Sequence, residues 1–179
     1  MVPFGIELGA SSHPVSGPAA ERPYVRPHRG YSVIIRPLDV RDKAEWLRMR
    51  LSYWPELGPA KHEIEFDKFS SGTATPAITL VAERENGRLG GFIQAVTRSY
   101  AEGCSSSPVG YIENWWVDQD LRRSGVGALL ISAAEAWARS LGLTEMASDT
   151  ELANNQSQAA HQALGYNETE RIIYFRKKL

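Results

Sequence analysis

The sequence contains a single cysteine, Cys104, and no apolar run that approaches the length of a membrane span. One cysteine excludes an internal disulfide framework and is typical of a reducing compartment, so we expect a cytoplasmic protein. Neither sign of charge predominates, because 20 Lys and Arg stand against 21 Asp and Glu. This balance argues against nucleic acid or an anionic membrane as a partner. The four histidines show no ligand spacing, so we expect no metal site.

Two common phosphate-binding patterns are also missing. The glycine-rich segment RRSGVG at residues 122–127 is followed by Ala128 and Leu129, whereas a Walker loop requires Gly-Lys-Ser/Thr at its end. The segment has two glycines and lies deep in the chain, whereas the dinucleotide fingerprint has three and opens the first β-α-β unit. The sequence therefore predicts neither a Walker nor a Rossmann site.

What the chain does contain is a predicted strand, a basic glycine loop and an amphipathic helix in unbroken order over residues 109–141. A glycine turn before a helix presents backbone N–H groups and the positive end of the helix dipole to an anion. Arg122 and Arg123 add two permanent cations. The segment predicts a phosphate site, although an ordinary helix N-terminus with solvated arginines fits this pattern equally well.

The rest of the sequence predicts one layered domain. Residues 1–30 are rich in Pro, Gly, Ser and Ala without periodicity, so we expect a flexible extension, and residues 31–179 form the domain. Strands are predicted at 31–36, 78–83, 89–98, 109–117, 144–148 and 172–176, and helices at 39–54, 59–69, 126–141 and 154–164. Helices between the strands of a mixed sheet predict an α/β or α+β domain.

At the level of motifs, the chain resembles the GNAT-type N-acyltransferases, which use acetyl-CoA. Residues 122–127 match the Gln/Arg-x-x-Gly-x-Gly/Ala loop of that superfamily, and residues 114–117 occupy the strand before it. A later signature is matched by Asn154, Ser157, His161, Gly165 and Tyr166. The resemblance implies a mixed, mostly antiparallel central sheet, splayed at the coenzyme site and flanked by helices.

A narrower similarity is to the aminoglycoside 6′-N-acetyltransferases that act as dimers. It is carried by MASDT (146–150), HQALGY (161–166), ETER (168–171) and YFRKK (174–178). The resemblance implies that the antibiotic is contacted by Trp54, Tyr100, Glu113, Asp149 and Glu170. It implies that the coenzyme is held by Trp115, Trp116, Val117, Arg122, Arg123, Ser124, Gly125, Val126, Gly127, Ala128 and Asn154. It also implies a homodimer in which Glu170 can act across the interface.

The chemistry of acetyl transfer agrees with two of these acids. The acceptor amine is an ammonium at neutral pH, so the site must attract a cation and then remove a proton, which carboxylates can do. Glu113 and Asp149 are the candidate bases, because both should project at the carboxyl ends of neighbouring strands. From pattern alone, Glu113 also fits an exposed strand position, Asp149 a helix cap, Glu170 a solvated turn and Trp54 simple packing.

Several alternatives stay open at this stage. His161 stands where the superfamily often has a tyrosine that protonates the leaving thiolate. An imidazole could do the same or could merely pack. Cys104, His161 and Asp149 could form a nucleophilic triad, but Cys104 lies in a loop of small residues. Other functions are acetylation of a polyamine or protein N-terminus, or non-catalytic sensing of acetyl-CoA.

Overall fold

The computed structural model describes residues 24–25, 32–72 and 78–178. Its strands are β1 (Tyr24–Val25), β2 (Val33–Pro37), β3 (Ile78–Arg84), β4 (Leu89–Arg98), β5 (Val109–Val117) and β6 (Met146–Ser148). Its helices are α1 (Lys43–Tyr53), α2 (Gly58–Ser70), α3 (Val126–Ser140) and α4 (Asn155–Ala163). Among the described residues, no helix is long and apolar enough to cross a bilayer.

The six strands form one sheet in chain order, from β1 at one edge to β6 at the other. All neighbouring pairs are antiparallel except β5 and β6, which run parallel. The mixed, mostly antiparallel sheet flanked by helices confirms the predicted fold class. The predicted flexible extension lies outside the described residues, apart from the short strand Tyr24–Val25.

The sheet carries an apolar cluster on each face. On one face, α3 packs through Leu130, Ile131 and Ala134 against Ile93 and Ile112 of the central strands. On the other face, Trp46 and Met49 of α1 and Phe66 of α2 pack against Val81 and Phe92. The 3.6-residue spacing in α3 predicts this burial, because it places the apolar side chains on one stripe of the helix.

Local signals in the sequence explain where α1 begins and ends. The Asp39 carboxylate accepts from the backbone N–H of Arg41 at 3.0 Å, and the Asp42 carboxylate accepts from that of Asp39 at 2.8 Å. These reciprocal bonds form a capping box at the short 3₁₀ turn that leads into α1. The helix ends at Tyr53 because Pro55 follows two residues later.

One predicted element is wrong. Residues 172–176 are β-branched and aromatic residues followed by an arginine, a composition typical of a strand, yet residues 166–178 have no regular secondary structure. Tyr174 and Phe175 are 85% and 92% exposed. A strand requires a partner for its backbone N–H and C=O groups, and no strand of the described chain pairs with this segment. The pattern indicates the propensity of the segment but cannot supply the partner.

We expect Leu130→Ala to destabilise the fold by ~2–5 kcal/mol, because the side chain is completely buried between α3 and the sheet. Urea unfolding measures this loss. Leu141→Ala is the matched control, since Leu141 ends the same helix and is 51% exposed, and it should cost less than about 1 kcal/mol. Equal costs for the two variants would contradict the assigned packing of α3.

Candidate active site

Glu113 is the extra residue of a β-bulge in β5. On one side of it Ile112 pairs with Ala95, and on the other Asn114 pairs with Gln94, so no residue of β4 stands opposite Glu113. A bulge bends its strand and re-aims the side chain of the extra residue. Glu113 therefore lies in the middle of β5 but outside its regular pairing with β4.

The bulge also reverses which side chains face each layer. In regular alternation, Ile112 and Trp116 would share a face. Here Ile112 shares the α3 face with Trp115, whereas Trp116 packs on the α1 face. Consecutive residues of a strand point to opposite faces, and the bulge decides which of the two tryptophans lies beside α3.

Strands β5 and β6 separate just beyond the bulge. They pair only from Gly110 with Met146 to Ile112 with Ser148. Strand β5 then continues to Val117, whereas β6 ends at Ser148. The opening between them begins at Glu113 on one strand and Asp149 on the other, so the two candidate bases lie at its mouth.

Two side chains of the sheet link these carboxylates. Arg98 donates from Nη2 to Glu113 Oε1 at 2.7 Å and from Nε to the same oxygen at 3.1 Å. Its guanidinium lies over the Tyr111 ring, 3.4 Å from the centroid. The Tyr111 hydroxyl donates to Asp149 Oδ1 at 2.8 Å. Burial, reinforced by that bond, raises the pKa of Tyr111, so the hydroxyl stays protonated and donating at neutral pH.

Aromatic side chains at the end of α1 form one wall beside this cluster. Tyr53 stacks on Trp54 with ring centroids 4.8 Å apart and lies 5.7 Å from the Trp116 ring. Burial raises the pKa of Tyr53, and the negative charges of Asp149 and Glu151 raise it further. Tyr53 packs on the same face of the sheet as Phe92 and Trp116. Trp54 belongs to the same aromatic wall because it stacks on Tyr53.

The remaining predicted acceptor residues lie on exposed segments. Tyr100 is 64% exposed in the loop after β4. Glu170 is exposed in the C-terminal segment, one residue after Thr169, whose hydroxyl donates to the Glu102 carbonyl at 3.4 Å. The segment therefore touches the loop after β4, and both residues stand near the carboxyl end of that strand. Their contact with substrate stays a prediction.

The glycine loop leads directly into an uncapped N-terminus of α3. Gly125 adopts a φ of 94°, a left-handed conformation that favours glycine, and stands immediately before α3. The first intrahelical bond runs from the Leu129 N–H to the Gly125 carbonyl. The N–H groups of Val126, Gly127 and Ala128 consequently have no intrahelical acceptor, and no side chain caps this end of the helix. Such an end suits an anion.

The two arginines of the loop behave differently. Arg122 donates from Nε to the Val117 carbonyl at 3.0 Å, and its guanidinium lies 4.8 Å from the Trp116 ring centroid. It therefore braces the end of β5 while keeping its charge beside the loop. Arg123 is exposed and has a φ of 60°. Ser124 is buried and donates to the Leu121 carbonyl at 2.6 Å, which holds the turn itself.

Gly127 is required by a contact inside the protein. A Cβ on this residue would lie 2.7 Å from Cζ2 of Trp115. The missing Cβ at this position thus has a packing reason within the protein. The Trp115 indole lies directly under the first turn of α3, so the bulge that directs Trp115 to this face also shapes the loop.

His161 lies on α4 with a defined tautomer. Its Nδ1 is 2.8 Å from the Ser157 carbonyl oxygen, which can only accept, so Nδ1 carries the proton. The ring packs edge-on against Trp115 and Tyr166. Its Nε2 is buried and has no protein partner among the described residues. Neutral His161 thus presents a lone pair rather than a proton at Nε2.

Two other predicted residues have clear structural positions. Asn154 caps α4, its Oδ1 accepting from the Ser157 N–H at 3.0 Å. Cys104 packs with Ala101, Val109 and Tyr111, apart from His161 and its ring partners. Burial raises the pKa of the Cys104 thiol, the opposite of what an activated nucleophile needs. This arrangement disfavours the cysteine triad.

The part of the chain that the structure describes contains no group of three or more His, Cys, Asp or Glu arranged to hold a metal ion.

Sequence reasoning missed three residues that the fold brings to the site. Arg98 and Tyr111 meet because Arg98 pairs with Val109, two residues before Tyr111 on the neighbouring strand. Tyr53 packs against Trp116 of β5 because α1 lies across that face of the sheet. The alternation of Val109, Tyr111 and Glu113 indicated a shared face, but only the strand register identifies Arg98 as their neighbour.

Comparison with known proteins shows the family. Residues 43–166 match the family model described as "Acetyltransferase (GNAT) family". This chain belongs to the GNAT acetyltransferase family, and the predicted resemblance, fold and enzyme class are confirmed.

Relatives carry a more specific name. The chain is 44% identical over 149 residues to "Aminoglycoside N(6')-acetyltransferase type 1" of Klebsiella aerogenes, covering 83% of this chain and 98% of that one. The solved structure of AAC(6')-Iy with the bisubstrate analog CoA-S-monomethyl-acetylneamine is 35% identical, with a TM-score of 0.75, and 82% and 99% of the two chains are covered. AAC(6')-Iy in complex with CoA is 36% identical, with a TM-score of 0.76 and coverage of 84% and 98%.

We expect Gly127→Ala to destabilise the protein by about 1–3 kcal/mol, because the added methyl overlaps the Trp115 indole. Combining it with Trp115→Leu removes the overlap. Denaturant unfolding of both single variants and the double variant then measures their coupling. Simple additivity of the two costs would show that the glycine is not required by Trp115.

Proposed function

We propose that this acetyltransferase moves the acetyl group of acetyl-CoA to the 6′-amino group of aminoglycoside antibiotics and so confers resistance. The observation that carries the proposal is the placement of Glu113 and Asp149 at the mouth of the opening between β5 and β6, linked through Arg98 and Tyr111. The names of the relatives support the antibiotic as acceptor.

The loop and helix end fit the coenzyme. The uncapped amides of Val126, Gly127 and Ala128 would hold the pyrophosphate, with the charges of Arg122 and Arg123 beside them. Trp116 and Val117, past the bulge, would line the pantetheine arm. Asn154 would contact the coenzyme from the start of α4. Acetyl-CoA supplies the activated acyl group, and the protein contributes position and charge.

The carboxylates would act on the amine. Amines of this type resemble lysine, so roughly one in a thousand is unprotonated at neutral pH. Glu113 and Asp149 would draw the ammonium into the site, and one of them would take its proton, directly or through a water. The free amine then forms a C–N bond at the thioester carbon while the C–S bond breaks. Trp54, Tyr100 and Glu170 would line the acceptor side.

The leaving thiolate needs a proton. Because Nδ1–H of His161 is committed to the Ser157 carbonyl, only the imidazolium could donate from Nε2. His161 therefore acts as the acid only if it takes up a second proton during the cycle. The ammonium loses one proton before it attacks, and the nitrogen loses a second as the amide forms. One of the two balances the proton that the thiolate gains, and the other is released to solvent.

We expect Glu113→Gln and Asp149→Asn to lower kcat/KM for the antibiotic by 10²–10⁴-fold each, the range typical of losing a general base or its charge. Steady-state release of free CoA thiol measures the loss. Cys104→Ala is the control and should keep full turnover. Near-normal activity in both carboxylate variants would overturn the assignment, and a dead cysteine variant would restore the triad.

The choice of acceptor is tested by comparing amines under the same thiol assay. We expect turnover with kanamycin-type antibiotics and little with spermidine or with peptides bearing a free N-terminus. Faster turnover of either rival would reassign the substrate. Binding of acetyl-CoA without turnover on any amine would indicate a sensor.

We also propose that the protein acts in the cytoplasm as a homodimer. Strand β6 pairs only with β5 among the described strands, so its other edge is open. The C-terminal segment exposes Ile173, Tyr174 and Phe175 and lacks a partner strand. An open edge and an unpaired apolar segment can satisfy each other between two copies of the chain. Glu170 precedes this segment and would enter the partner's acceptor site.

We expect Phe175→Lys to convert the dimer to monomer, because it places a charge in the apolar segment. Light scattering coupled to gel filtration measures the mass. Val40→Lys is the control, since Val40 is also exposed but lies in the turn before α1. A monomeric parent protein, or a dimeric Phe175→Lys variant, would contradict this interface.

A further inference from the structure

Arg98 places a permanent cation where the proposed function requires a substrate cation. Both of its hydrogen bonds go to one oxygen of Glu113, at 2.7 and 3.1 Å. A carboxylate saturated by arginine is normally held through both oxygens. The pair is partly exposed, with relative side-chain exposures of 40% for Arg98 and 33% for Glu113. The contact is therefore accessible and replaceable.

The surroundings of Arg98 make it part of a wider site. Its guanidinium carbon lies 3.4 Å from the centroid of the Tyr111 ring, and Tyr111 is hydrogen-bonded to Asp149. Burial lowers the pKa of Arg98, but its hydrogen bonds to Glu113, with smaller effects from the charges of Glu113 and Asp149, raise it above its usual value. Arg98 is thus paired with Glu113 and adjoins Asp149 through Tyr111, and the group of three carries a formal charge of −1 instead of −2.

We propose that Arg98 is an internal counter-ion of the acceptor site, displaced from Glu113 when the substrate ammonium binds. This inference rests on the proposed function. In the substrate-free protein Arg98 keeps two neighbouring acids from repelling each other. On binding, an ammonium replaces the guanidinium at Glu113, and Arg98 stays over the Tyr111 ring or turns outward. Because the substrate must compete with Arg98 for Glu113, Arg98 lowers the affinity of the site for a cationic substrate.

The test is the kinetics of Arg98→Gln, which removes the charge but keeps a polar side chain. An exposed ion pair is worth up to about 1 kcal/mol, so we expect KM for the aminoglycoside to fall up to about fivefold. We expect kcat and KM for acetyl-CoA to change little. With the site charge at −2, KM of the variant should also rise more steeply with ionic strength than that of the parent.

Two further variants serve as controls. Arg98→Lys keeps the cation and should restore a KM close to that of the parent. Arg139→Gln makes the same change in net charge at an exposed ion pair with Glu135 on α3, and should leave every constant unchanged. A rise in KM for Arg98→Gln, or no change in it, would overturn the inference. The first result would mean that Arg98 serves to hold Glu113 in place.

Failure of the proposed function gives a different result. A parent protein that acetylates no aminoglycoside refutes the substrate assignment, whatever Arg98 does. A parent protein that turns over the antibiotic while Arg98→Gln shows a raised or unchanged KM refutes only the displacement of Arg98.

Discussion

The β-bulge at Glu113 is the constraint on which the candidate site depends. By adding one residue between the Ala95–Ile112 and Gln94–Asn114 pairs, it sends Trp115 under α3 and Trp116 toward α1. The bulge also lies where β5 and β6 stop pairing. Glu113 therefore stands at the start of the opening between the two strands, and β5 runs on from there toward the glycine loop. Without that residue, regular alternation would exchange the faces of everything that follows on β5.

A buried cation supports the acceptor wall behind the bulge. Arg50 is almost completely buried, donates to Glu65 at 2.6 Å, and lies 5.0 Å from the Trp54 ring centroid. Removing Glu65 should be costly, because the buried charge of Arg50 would then stay desolvated without its partner. Gln94 lies 3.5 Å from Arg50 and accepts from the Asn114 amide at 2.9 Å, so the same group of polar side chains reaches the bulge. Contacts through Arg50 and Gln94 therefore connect Trp54 to Asn114, the residue that follows the bulge.

The sequence predictions are accurate where an element depends on local interactions and fail where it depends on a distant partner. The strands at 89–98 and 109–117 and the long helix after the loop match the structure closely, because periodicity and glycine signals act within one element. The strand at 172–176 is wrong, since pairing is non-local and the partner is missing from the described chain. The sequence did not indicate Arg98 as a site residue for the same reason. Arg98 lies beside Tyr111 and Glu113 only because it pairs with Val109 on the neighbouring strand.

The sequence by itself determined the order of the elements from β2 to α4, the glycine loop before α3 and the candidate acids, because each depends on a few neighbouring residues. Only the tertiary structure decided that Glu113 is a bulged residue, that Gly127 makes room for Trp115, and that Arg98 neutralises part of the acidic pair. These facts depend on strand register and on which face each side chain occupies. Both are set when distant segments pack together, and no local pattern contains that information.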